Sequence, residues 1–132
     1  ETTATTPVTV NAVLDHKQLT SLQEMVREII VSPQIADLAA NITLSTHPAQ
    51  PTSASIVRKY VRFGASPRAM QALILAGRAH ALMEGRSWVA KEDILSIARP
   101  VLRHRIFLGF EADLERITPD QIVDSILENL KA

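Results

Sequence analysis

The chain has 132 residues, 46% of them hydrophobic and only 4% aromatic; it contains no cysteine, and its 14 basic residues balance 14 acidic ones for a formal net charge of +0. That length fits one domain, and the apolar content excludes a disordered segment. The missing thiols exclude disulfides and thiolate metal sites and fit the cytoplasm, while the charge balance argues against a dedicated nucleic-acid binder or membrane-surface protein.

Few aromatics mean a core of Leu, Ile, Val and Ala, which favours helices. Residues 1–9 are Thr-rich with one proline and read as a linker into a domain spanning 10–132. The start is polar, without Met and without a signal peptide, as expected of a piece of something longer; no apolar run reaches membrane-spanning length. Asp15 with Gln18 forms a capping-box pattern, and Leu19, Leu22, Met25, Val26 and Ile29 follow at helical spacing. The β-branched run Ile29-Ile30-Val31 reads as a short buried strand.

Ser32-Pro33 opens a second helix with Ile35, Leu38, Ala39 and Ile42 as its stripe. It must stop before Pro48, because the residue preceding a proline avoids helical geometry. Residues 47–58 have loop composition. Val57, Tyr60, Val61 and Phe63 then re-enter the core ahead of Gly64.

The third helix runs from Pro67 to about Glu84, with Gly85 as terminator. It is apolar round most of its circumference, which makes it the central helix, with Arg68, Gln71 and Arg78 as a narrow polar stripe. Ser87-Trp88-Val89 reads as a second strand, parallel partner to Ile29-Ile30-Val31. Glu92 and Asp93 suit the first turn of a fourth helix built on Ile94, Ile97, Ala98 and Val101, with a kink expected at Pro100. Phe107 to Ile117 is irregular and packs back. Thr118-Pro119-Asp120-Gln121 opens a last helix on Ile122, Val123, Ile126, Leu127 and Leu130. The fold class is mainly α: a bundle of about five helices with at most a short two-stranded parallel ribbon.

No catalytic constellation is complete. There is no phosphate-binding glycine-rich loop and no nucleophile elbow. The four histidines, His16, His47, His80 and His104, show no metal-ligand spacing; His80 reads as partly covered and structural, His47 as a loop residue. Arg99, Arg103, His104 and Arg105 crowd the end of the fourth helix. They either complement its C-terminus locally or meet a polyanion or the acidic face of a neighbouring protein.

Gly64-Ala65-Ser66-Pro67-Arg68-Ala69 is the most informative stretch. Ser66 is a good N-cap and Pro67 a good first helical residue, which fixes Arg68 at the second position. A cation there opposes the helix dipole unless an anion meets both it and the free N–H groups. Such an arginine more often points into water; the rest of the chain decides.

The succession Tyr-Val-Arg-Phe-Gly-Ala-Ser-Pro-Arg-Ala (60–69), an Ala/Leu-rich helix, Gly-Arg-Ser-Trp-Val (85–89), Glu-Asp-Ile (92–94) and Pro-Val-Leu-Arg-His-Arg (100–105) closely resembles the C-terminal lid of the MoxR family of AAA+ ATPases. The resemblance runs from about Val8 onward. It implies that Arg68 is the sensor-2 arginine, reaching the γ-phosphate of ATP, with Pro67 and Ala69 near the nucleotide. It also implies a preceding core domain that holds ATP and magnesium, a homo-oligomeric ring such as a hexamer, chaperone-like remodelling, and a von Willebrand factor A-type partner. Two departures stand out. The family often has Thr-Pro where Ala90-Lys91 stand here, so the fourth helix loses a good cap. The family's second helix often ends in Thr-Arg, whereas this one ends in Thr46-His47. A free-standing helical protein-interaction module is the alternative from another class.

Overall fold

The computed structural model describes residues 11–130. Among them are seven helices: α1 (His16–Glu28), α2 (Pro33–Ser45), α3 (Ser55–Tyr60), α4 (Pro67–Met83), α5 (Lys91–Leu102), α6 (Phe110–Leu114) and α7 (Pro119–Asn129). The expected linker at 1–9 lies outside the described residues.

Local chemistry sets most of the ends. Asp15 and Thr118 start α1 and α7 with complete capping boxes, and Ser32 accepts from Ile35 N–H at the start of α2. α2 ends at Ser45, short of Pro48. α4 ends at Gly85, whose φ of 71° is left-handed, while Gly85 and Arg86 N–H bond Leu82 and Ala81 carbonyls at 2.9 Å each; this is a Schellman motif, and it demands glycine for its backbone angle. α5 runs only two residues beyond Pro100.

α4 is the centre, packed against α1, α2 and α5, with α7 laid on α5. It buries Ala69, Leu73, Gly77 and Ala81, one residue per turn. A Cβ on Gly77 would lie 2.7 Å from Ile94 Cδ1, so the glycine lets α4 and α5 approach closely. Ile42, Val57, Ile94, Ala98, Leu102, Ile122 and Val123 are among the other fully buried residues of the core. Arg68, Gln71 and Leu75 share the exposed face of α4, whereas Arg78 is half-buried, so the polar stripe extends only one turn.

Several features differ from the sequence expectation, among them the helix α6 within the stretch 107–117 read as irregular. Residues 55–58, read as loop, begin the short helix α3; a six-residue helix after Pro48, Pro51 and Ser53 carries no periodic signal. The parallel pairing of 29–31 with 87–89 shrinks to a single bridge, Ile30 to Trp88, closed by two 2.9 Å hydrogen bonds; Ile29 is buried but Ile30 is exposed. The two-stranded sheet is antiparallel, with an irregular register between Val61 and Phe63, and lies elsewhere, between β1 (Val61–Phe63) and β2 (Phe107–Leu108).

Candidate functional site

Arg68 sits at the second position of α4, exposed, behind Ser66 as N-cap and Pro67 at the first helical position. Unlike Asp15, Ser32 and Thr118, Ser66 makes no side-chain capping bond. Pro67 has no N–H, and Ala69 N–H bonds back to Ser66 O at 2.8 Å. The helix therefore begins with its positive end turned to solvent and an arginine beside it. Pro67 is exposed, while Ala69 is fully buried, its methyl part of the core.

Pairing of β1 with β2 brings the two most distinctive sequence segments together. Phe63 faces Phe107 in register. With Gly64, Ser66, His104 and Arg105 they line an open hollow of about 550 Å³ beside the start of α4. Phe63 is 60% and Phe107 63% exposed, so Phe63 is not the core residue expected from its type. A two-residue ladder over the edge of the bundle has one solvent face, and Phe63 is on it.

The basic cluster is largely matched within the chain. Arg99 pairs with Asp124 at 2.5 Å and Arg103 with Asp120 at 3.1 Å, both from α5 to α7. Arg105 Nε donates to Val101 O at 3.0 Å, a carbonyl near the end of α5. These contacts favour local complementation over a polyanion site.

Two residues at the end of α2 reach the segment ahead of Arg68. Thr46, fully buried, accepts from Ala65 N–H through its hydroxyl at 2.8 Å and donates to Thr43 O at 2.6 Å. His47 Nε2 lies 2.9 Å from Ala65 O. A carbonyl only accepts, so Nε2 carries the proton. Sequence reasoning left His47 in the loop, because its partner is 18 residues away. Gly64 was the available signal: a Cβ there would fall 2.7 Å from His47 Cγ and 2.8 Å from both Thr46 O and Thr46 Oγ1.

The far end of α4 is tied down differently. Asp93, buried at the start of α5, takes Arg86 NH1 and NH2 at 2.7 and 2.6 Å, Ala90 N–H at 2.7 Å and His80 Nδ1 at 2.8 Å. The Arg86 guanidinium foremost, then the Ala90 N–H and His80, hold its carboxyl well below the usual range against the opposing effect of burial. Asp93 thus caps α5 by satisfying Ala90 N–H, partly offsetting the absent cap at Ala90. His80 is structural, as its place on the helix suggested.

Among the described residues no three His, Asp or Glu gather into a metal cage, and no helix is long and apolar enough to cross a membrane. A groove of about 600 Å³ runs between α1 and α4, lined mainly by Val26, Ala72, Leu75, Ala76, Ala79 and Val101.

The sequence pattern of the AAA lid domain family matches residues 53–126. The chain is 30% identical over 95% of its length to "Chaperone MoxR1" of Mycobacterium tuberculosis, spanning 33% of that protein. It is 37% identical over 56% of its length to "Protein MoxR" of Methylorubrum extorquens, spanning 22% of that one. The solved structure of a candidate ATPase from Cytophaga hutchinsonii superposes on 86% of this chain and 34% of its own with a TM-score of 0.82 at 26% identity. The chain thus spans about a third or less of the relatives it matches.

Proposed function

The chain belongs to the AAA lid domain family, in its MoxR branch, and on that premise we propose that it closes over ATP held by a preceding core domain, with Arg68 as the sensor-2 arginine facing the γ-phosphate. The observation that carries this is the start of α4: an exposed arginine at its second position, where no side chain caps the helix. An anionic oxygen suits that place, since the helix dipole and the guanidinium both favour negative charge.

ATP supplies the phosphoryl group; the lid supplies a fixed positive charge. Negative charge builds on the γ-phosphate oxygens during transfer, and a guanidinium already held there favours the transition state over the bound substrate. Pro67 limits the backbone freedom of the turn that carries it. Magnesium ligands and the water-positioning group belong to the core domain in this proposal. Movement of the lid passes the nucleotide state to neighbouring subunits of a hexameric ring and drives chaperone-like remodelling with a von Willebrand factor A-type partner.

Steady-state hydrolysis by the longer protein tests this. Arg68→Ala should cut turnover by about 10²-fold or more, while Arg78→Ala, a charge removed from the same helix, leaves it within about threefold. Wild-type turnover in the Arg68 variant would refute the proposal.

One observation favours the alternative interaction module. α1 buries none of its residues, and Leu19, Leu22 and Met25 on its apolar face are 48%, 40% and 47% exposed. A partner on that face without any response to nucleotide would support it.

A further inference from the structure

The backbone just ahead of Arg68 is irregular, yet both polar groups of Ala65 are buried and paired. Buried main-chain groups outside helices and sheets need partners, and here both come from the end of α2. Thr46 Oγ1 takes the N–H and His47 Nε2 meets the C=O, at 2.8 and 2.9 Å. The Thr46 hydroxyl uses its own hydrogen on Thr43 O, so its orientation is set by α2 itself.

The clamp is braced from behind. Ser53, 1% exposed, places its hydroxyl 2.7 Å from His47 O and 3.2 Å from Ser45 O. That closes the turn after α2 and restrains the His47 backbone. Gly64 passes so near Thr46 and His47 that no Cβ fits. From Ala65 the chain has only Ser66, in extended geometry, and Pro67, with its fixed φ, before Arg68. Direction imposed at Ala65 is therefore carried to Arg68 with little slack.

We propose that Thr46 and His47 are positioning residues for Arg68: the pair of hydrogen bonds to Ala65 aims the start of α4, and with it the arginine, at the phosphoryl group. This rests on the proposed role of Arg68. A misplacement of about 1 Å in a group that meets the reacting phosphate is enough to lower the rate by about 10²-fold.

The test is a double-mutant cycle on ATP hydrolysis by the longer protein. Thr46→Val removes the hydroxyl at nearly constant volume; His47→Leu removes the ring donor. Each should lower kcat about tenfold or more. Thr46→Ser and His47→Gln, which keep a hydroxyl and a side-chain N–H, should stay within about threefold of wild type. In an Arg68→Ala background, Thr46→Val and His47→Leu should cost no more than about twofold further, because the arginine they aim is gone. Impaired Arg68→Ala with unimpaired clamp variants would overturn this inference and leave the role of Arg68 standing. Equal losses with and without Arg68 would show that the clamp acts through the fold alone and would also overturn it. If Thr46→Val and His47→Leu both fail to fold, and Thr46→Ser and His47→Gln do not restore turnover, the clamp is structural and the inference fails. If Arg68→Ala itself hydrolyses ATP like wild type, the proposed function and this inference fall together.

Discussion

At the residue scale the chain separates side chains that stabilise from one that is left exposed. Asp93 is the main buried charge, with three protein partners and 1% exposure. Removing one partner of such a pair strands the rest, so Asp93→Ala should cost about 3 kcal/mol, the low end for a broken buried ion pair because Arg86 keeps some access to water. The carboxyl pKa is lower in the folded than in the unfolded chain. Its contribution is therefore complete above the unfolded value, about 4, and is lost as pH falls below it. Urea unfolding at pH 7, 5 and 3 checks both statements: wild type should weaken mainly below about pH 4, and Asp93→Ala should show a flatter acid limb. Arg68 is the opposite case. It has no described ion pair, opposes the helix dipole and faces solvent. A stability-driven sequence would not choose it there.

At the element scale α4 and α1 give contrasting expectations. Leu73 is fully buried, and Leu73→Ala should cost about 2–5 kcal/mol. Ile74 is only partly buried, so Ile74→Ala should fall at about 1–2 kcal/mol, although the sequence pattern treats the two alike. Leu19→Ala on α1 should cost less than about 1 kcal/mol, since its face is uncovered. Denaturant midpoints of the three variants rank them. Between α5 and α7, Arg103 and Asp120 are about half-exposed, and such pairs contribute about 0–1 kcal/mol. Arg103→Ala should therefore lower the unfolding free energy by less than about 1 kcal/mol and leave the longer protein's assembly, measured by light scattering, unchanged. Smaller assemblies would instead place Arg103 at a subunit contact.

At the scale of the whole molecule, α4 joins two unlike ends. Its C-terminal end is closed by the Gly85 turn and the Asp93 cluster; its N-terminal end is uncapped and open beside the Phe63–Phe107 hollow. The long amphipathic helices were legible because Asp15, Ser32, Ser66 and Thr118 mark starts and Gly85 a stop, and their apolar stripes are sustained. α3 and the β1–β2 ladder were not legible, because two to six residues carry no period and their pairing is fixed by tertiary contacts. Gly64–Arg68 could be read as a candidate site from helix-start chemistry and family resemblance. The support from Thr46 and His47 could not, since hydrogen bonds spanning 19 and 18 residues leave no local pattern.

Single-turnover hydrolysis of ATP bound to the longer protein, measured for wild type and Arg68→Ala together with the unfolding of this chain, tests the central claim most directly. The account predicts a chemical step slower by about 10²-fold or more in the variant, with the unfolding free energy of the chain within about 0.5 kcal/mol of wild type. A single-turnover rate equal to wild type, or a slower rate matched by an unfolded lid, would contradict it.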